Sequence, residues 1–356
     1  MSRPVLLICV LPVLSGAGFY RKNVSMEWLN LLFAGTPLWM WLMFMAIVAT
    51  LLLFDLGVLN KDDHEIGVRE SLKLSAFYIG MGLAFGGWVG WYKGGDAGMQ
   101  YLTGYLVEKS LSMDNIFVMS LIFSGMAVPR LYQHRVLFWG ILGVIVLRAV
   151  MIGLGAVLVT EFKWVLVLFG LFLIVTGVKM LLTKEEAHPS LEDNQLYQWL
   201  RSHLRLTPSL HGHHFLVRGE QHGLARGWWA TPLLLTLILV ESADLVFAVD
   251  SIPAIFAITQ DPFLVYTSNI FAILGLRALY FALSAMVHRF EYLKYSLAMV
   301  LVFIGVKVGL VYLNAIQMVQ FHIPTIASLL VTLGLLLAGV LYSLYQTRDG
   351  RGDSLS

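Results

Sequence analysis

The sequence predicts an all-α polytopic membrane protein of about nine transmembrane helices, with two sets of three helices forming an inverted repeat. Three observations carry this expectation. Of 356 residues, 58% are hydrophobic and 13% charged, against about 25% charged in soluble domains, and the mean hydropathy is +0.77. Apolar runs of about 20 residues, long enough to cross a hydrocarbon core of roughly 30 Å, recur between short polar breaks. The charged and glycine positions around Glu108 to Lys179 return around Glu241 to Lys307.

In order, residues 1–30 read as an N-terminal extension with a signal-like pattern: Arg3, an apolar run from Val5 to Leu14, then small residues from Ser15 to Gly18. Residues 31–99 hold two leading transmembrane helices, near 36–58 and 71–92. The first three-helix repeat fills 100–183, with spans near 100–124, 134–159 and 161–183. A polar linker follows at 184–228, with a short helix expected over Glu192 to Leu204 and the run HGHH at 211–214, flanked by His203 and His222. The second repeat fills 229–313, with spans near 229–257, 264–287 and 291–313. A last span near 324–346 completes segment 314–346, and 347–356 is a tail.

Nine spans place Lys61, Arg69, Arg130, Arg135, Lys184, the linker arginines, Arg289, Lys294 and Arg348 on one side. Arg3, Arg21, Lys22, Lys93 and Lys163 are left on the other. The basic side is the cytoplasmic one, so the N-terminus lies outside and the C-terminus inside. One span more or fewer would erase this asymmetry.

The repeat matches Glu108 with Glu241, Asp114 with Asp244, Arg148 with Arg277, Gly177 with Gly305 and Lys179 with Lys307, all about 130 residues apart. Three spans is an odd number, so the copies cross the membrane in opposite senses. In such folds the site lies near the midplane, where the copies meet.

Charges inside a bilayer mark function by default, because each costs roughly 2.5 to 3.5 kcal/mol at a helix centre. The candidates are Glu108, Asp114, Glu241, Asp244 and Asp250, with Asn115 as an amide ligand and Ser251 or Asn269 as further oxygen donors. Glu241 and Asp244 share a helix face, as do Glu108 and Asn115. Asp250 lies about 120° from Asp244 and Asp114 about 100° from Asn115, so a straight helix cannot aim them all at one point. Unwinding is therefore expected at Pro253 and near Ser110 and Ser112.

Such an oxygen-rich set suits Mg²⁺, Ca²⁺ or Mn²⁺ and disfavours a copper or Cys/His zinc site. Carboxylates that release a metal in a dry site take up protons, so metal–proton exchange follows as an expectation. Lys109, Arg148 and Arg277 are the counter-charges or gate elements. Lys179 and Lys307 are expected to snorkel to an interface, and the HGHH run to be a solvated loop.

The single cysteine, Cys9, excludes an intramolecular disulfide and a cysteine-rich metal site. No basic cluster with interleaved aromatics points to nucleic acid. An intramembrane aspartyl hydrolase would leave the repeated glutamate unexplained, and no GxGD-like motif surrounds either aspartate of the repeat, so the chain is not expected to be an enzyme. The lipid bilayer is the certain partner, and a homo-oligomer is compatible with the sequence.

The stretches LTGYLVEKSLSMDNIFV, VLRAVMI, LVESADLVFAVDSIPAIFA, TSNIFAILGLRALYF and LVFIGVKV closely resemble the TerC family of integral membrane proteins, in its Alx-like branch within the LysE-like transporter group. The resemblance runs from about residue 36 to residue 346. It implies a bacterial inner-membrane protein, a link to tellurium resistance, and manganese export, with Mn²⁺ as the transported ion and no permanently bound cofactor. Carried over by position, the family's intramembrane acids are Glu108, Asp114, Glu241, Asp244 and Asp250. The linker departs from the family's pattern, which is more acidic where this chain has HGHH. A membrane partner of a metal-loading or stress-resistance complex, without transport of its own, is the competing expectation.

Overall fold

Small residues let the helices of this chain touch backbone to backbone, and that contact sets the fold. The computed structural model describes residues 31–54, 67–162, 164–182, 194–223, 225–283, 293–315 and 323–349. The N-terminal extension, the start of the linker and most of the tail lie outside the described residues.

A short antiparallel hairpin, β1 (Leu32–Phe33) and β2 (Thr36–Pro37), leads into α1 (Leu38–Phe54). Then come α2 (Val68–Lys93), α3 (Gly95–Gly125), α4 (Arg130–Glu161) and α5 (Val165–Leu182). In the linker, α6 (Gln195–His203) is followed by the antiparallel strands β3 (Leu216–Arg218) and β4 (Trp228–Ala230). The chain returns to long helices with α7 (Pro232–Ile258), α8 (Pro262–Leu274), α9 (Leu276–Leu283), α10 (Leu293–Ala315) and α11 (Thr325–Asp349).

Seven described helical segments are long and apolar enough to cross a membrane: α2, α4, α5, α7, α8 with α9, α10 and α11. Each predicted span overlaps a helix. α1 is apolar but 17 residues long, and the 31 residues of α3 are interrupted by Asp96, Glu108, Lys109 and Asp114.

On α2, Gly82, Gly86 and Gly90 recur every fourth residue and receive Tyr105, Tyr101 and Gly98 of α3. This is the small-xxx-small packing used where lipid supplies no hydrophobic drive between helices. α5 and α10 do the same: a Cβ on Gly305 would lie 2.6 Å from the Gly170 carbonyl oxygen, and one on Gly177 2.7 Å from that of Ala298. Residue numbers rise on one helix as they fall on the other, so the pair is antiparallel.

α8 sits at the centre. Every residue from Phe263 to Leu274 is buried, with Phe44 of α1 and Phe85 of α2 packed on Phe263 and Phe271.

The span expected over 264–287 is present as one apolar segment, Pro262–Leu283, with a turn at Gly275 between α8 and α9. Two local expectations need correction. No unwinding occurs at Pro253, which lies inside an uninterrupted α7, nor at Ser110 and Ser112, whose hydroxyls donate back to the Leu106 and Glu108 carbonyls of α3. The linker helix starts at Gln195, where the Asn194 side chain caps the amides of Leu196 and Tyr197 at 2.9 and 3.2 Å.

Candidate functional site

Three helices converge on one guanidinium carried by a fourth. Arg148 lies mid-way along α4 and is 1% exposed; facing it are Glu108 of α3, Asp244 and Ser251 of α7, and Asn269 of α8, none more than 2% exposed. Its Nη1 donates to Glu108 Oε1 at 2.5 Å, to Ser251 Oγ at 3.0 Å and to Asn269 Oδ1 at 3.0 Å. Nε and Nη2 each reach one oxygen of Asp244 at 3.4 Å, a long bidentate pair. Asn115 Nδ2 of α3 donates to Asp244 Oδ1 at 3.2 Å.

Charge drives this convergence. A buried carboxylate without compensation costs several kcal/mol, and a guanidinium fork serves two acceptors at once. One arginine between two carboxylates still leaves one negative charge over within the cluster. Three buried atoms of the cluster also lack a hydrogen-bond partner among the described residues: Glu108 Oε2, Asn115 Oδ1 and Asn269 Nδ2. Each such group costs about 1 to 3 kcal/mol in a dry protein interior.

Beside the cluster lies a cavity of about 190 Å³, lined by Glu108, Asn115, Arg148, Asp250 and Ser251, by Thr176 and Met180 of α5, and by Leu297 and Leu301 of α10 among others. At about 30 Å³ per water it has room for a partly hydrated ion. A second cavity of about 20 Å³, with Asp244 and Arg277 on its wall, has room for about one water.

The structure thus brings Glu108, Asn115, Asp244 and Arg148 into one hydrogen-bonded cluster, and Asp250 lines the adjoining cavity with Glu108, Asn115 and Arg148. Glu241 lies apart, half-buried, with its carboxylate against Gly140 and Gly143 of α4 and no hydrogen-bond partner on either oxygen among the described residues. Asp114 falls in α3, but its side chain lies outside the described residues. Lys109 donates to the Ala272 carbonyl at 3.1 Å, beside the break at Gly275. Among the described residues no three His, Cys, Asp or Glu side chains gather as a metal-holding group. The oxygens around Arg148 come from two carboxylates and two neutral side chains.

The snorkelling reading of Lys307 meets a different partner, since its Nζ donates to Ser328 of α11 at 3.1 Å. In the linker, His211 and His214 border a surface groove of about 770 Å³ with Arg218 and Trp228. Sequence reading missed Thr176 and Met180, which carry no charge to mark them. It also missed the ion pair between Lys93 at the end of α2 and Asp261 at the start of α8.

A bundle of apolar helices with ionised and amide side chains sealed inside defines an integral, multi-pass membrane protein with an internal polar site. The chain belongs to the integral membrane protein TerC family, whose model matches residues 93–351. It is similar to an uncharacterized membrane protein of Myxococcus xanthus, at 46% identity over 310 residues, 87% of this chain and 93% of the relative. A Rickettsia bellii membrane protein is 45% identical over 303 residues, covering 85% and 96%. An Escherichia coli protein named "Putative membrane-bound redox modulator Alx" is 46% identical over 311 residues, covering 85% and 92%. No solved structure matches.

Proposed function

We propose that this chain is a bacterial inner-membrane transporter, not an enzyme, that exports Mn²⁺ from the cytoplasm in exchange for protons. The observation that carries the reading is the set of carboxylate, hydroxyl and amide oxygens from three helices, buried beside a cavity that can hold an ion. Hard oxygen donors of this kind bind Mn²⁺, Mg²⁺ and Ca²⁺, and the family resemblance selects manganese among them.

In this reading nine spans place the N-terminus outside and the C-terminus in the cytoplasm, and the three-helix copies are inverted. The α5–α10 contact supports the inversion. Gly177 meets Val302 as Gly305 meets Ile174, so residues matched by the sequence repeat exchange roles across the interface. That reciprocity is what a two-fold axis imposes. Rocking of one copy against the other would expose the site alternately.

The redox-modulator name of the relatives supplies a second reading. Cys9 is the only cysteine, so the chain has no thiol pair of its own for disulfide exchange. A redox role would act through a partner, as would a metal-loading role without transport.

The deciding measurement is cellular manganese content under manganese load. Wild type lowers it, and neither Glu241→Gln nor Asp114→Asn does, since both keep size and remove charge. Efflux from liposomes that ignores an imposed pH gradient would remove the proton coupling. Linker changes that abolish manganese tolerance, while Glu108 and Asp244 variants keep it, would favour the partner reading.

A further inference from the structure

The guanidinium of Arg148 has more acceptors than it can serve. Nη1 carries two hydrogens, yet three oxygens from three helices converge on that one nitrogen, at 2.5, 3.0 and 3.0 Å. A planar donor cannot point hydrogens at all of them. A spherical cation can, because it takes oxygens from every direction, at about 2.0 to 2.6 Å for ions of the magnesium and calcium class. The remaining oxygen of Glu108 is buried and has no hydrogen-bond partner among the described residues, so the nest offers more ligands than the arginine uses.

We propose that Arg148 is a tethered stand-in for the transported cation: Nη1 marks the position the ion takes, and the guanidinium withdraws into the adjoining cavity when the ion binds. The inference rests on the transport reading and deepens it. Arg148 already lines that cavity, and Asp250 on its wall supplies a carboxylate to receive the displaced side chain. The site therefore has two arrangements, one with arginine on Glu108 and Asp244, the other with the ion on them and arginine turned toward Asp250. In the first arrangement the guanidinium offsets one of the two carboxylate charges of the empty site, which lowers the cost of the unloaded carrier's return across the bilayer. Arginine suits the task because it stays protonated under all working conditions. Ion and guanidinium compete for the same oxygens, so the affinity for the ion is set below what the nest alone would give.

The test is Mn²⁺ binding to the purified full-length protein, by calorimetry or by the electron spin resonance of free manganese, for wild type, Arg148→Ala and Arg148→Lys. Arg148→Ala is expected to bind at least about tenfold tighter. Arg148→Lys is expected to fall between, since an ammonium has three donors on a shorter reach and competes less well. Millimolar methylguanidinium, far below denaturing levels, should weaken binding to Arg148→Ala and leave wild type unchanged. In liposomes Arg148→Ala should keep manganese-for-manganese exchange and lose net efflux.

Removing the charge leaves two buried carboxylates uncompensated; if Arg148→Ala does not fold, the charge-preserving lysine variant decides. Wild-type binding with equal or weaker affinity in the folded variants overturns the stand-in role and leaves the transport reading intact. Loss of folding in both variants makes Arg148 purely structural and overturns it as well. Absence of manganese binding in wild type and variants alike removes the transport reading and this inference together.

Discussion

Glu108 and Glu241 occupy matching places in the sequence repeat, but their surroundings differ in kind. Glu108 is wholly buried and held by the guanidinium of Arg148. Glu241 is half-buried and held by shape, its carboxylate fitted against two glycines of α4, with no donor on either oxygen among the described residues. One acid is fixed by charge and the other by space. Repetition in sequence therefore marks which residue types return, while the neighbouring helices decide what each copy does.

The contrast is most easily broken by removing the charges one at a time. Glu108→Gln takes a partner from a buried arginine, which costs about 3 to 5 kcal/mol when an internal ion pair is opened. Asp244→Asn removes the other carboxylate of the same guanidinium and should cost a similar amount. Glu241→Gln takes away no partner, and its stability should stay within about 1 kcal/mol of wild type. All three should stop manganese efflux. Melting of the detergent-solubilised variants, read beside cellular manganese, checks both halves. A Glu241→Gln variant as unstable as Glu108→Gln would show that Glu241 is also charge-held.

A methyl group in the glycine cradle sharpens the same comparison from the other side. A Cβ on Gly143 would come within 2.6 Å of Glu241 Oε2 and 2.8 Å of its carboxyl carbon, whereas on Gly140 the nearest contact is 3.2 Å. Gly143→Ala must push the carboxylate aside, at about 1 to 3 kcal/mol for overpacking, and should slow efflux. Gly140→Ala should do both more mildly. Equal, negligible effects at the two positions in melting and in efflux would mean that Glu241 is free to turn elsewhere.

Much of this was legible in the sequence, because a bilayer punishes exceptions to apolarity. Glu108 and Asp244 stood out as costly residues, Asn115 as an amide ligand, Arg148 as a counter-charge, and Ser251 and Asn269 as further oxygens; the structure gathers all six. The helix interior was less legible. Proline at 253 suggested a break that the packed α7 does not make, and the break at Gly275 was hidden, since its cue is a lysine from another helix: Lys109 takes the carbonyl of Ala272. Contacts between distant helices leave no periodicity behind. For the same reason uncharged Thr176 and Met180 gave no sign that α5 walls the cavity.

The smallest effect should come from the other conspicuous ion pair. Lys93 bonds Asp261 and Thr36, tying α2, β2 and the start of α8 together, and its Nζ stands 5.4 Å from the Phe263 ring centre. Chemically this pair resembles Arg148 with Glu108, but its side chains are 20% and 29% exposed. Water already solvates both partners there, and exposed pairs contribute about 0 to 1 kcal/mol. Lys93→Gln should therefore melt within about 1 kcal/mol of wild type and keep its efflux. Asp261→Ala should cost more than its ion pair suggests, because the same side chain caps α8 through the Phe263 amide at 2.9 Å, a contact for which alanine replacement costs about 0.5 to 2 kcal/mol. If Lys93→Gln instead matched Glu108→Gln in lost stability, burial would not be what separates the two pairs, and the distinction between charge-held and space-held acids would lose its physical basis.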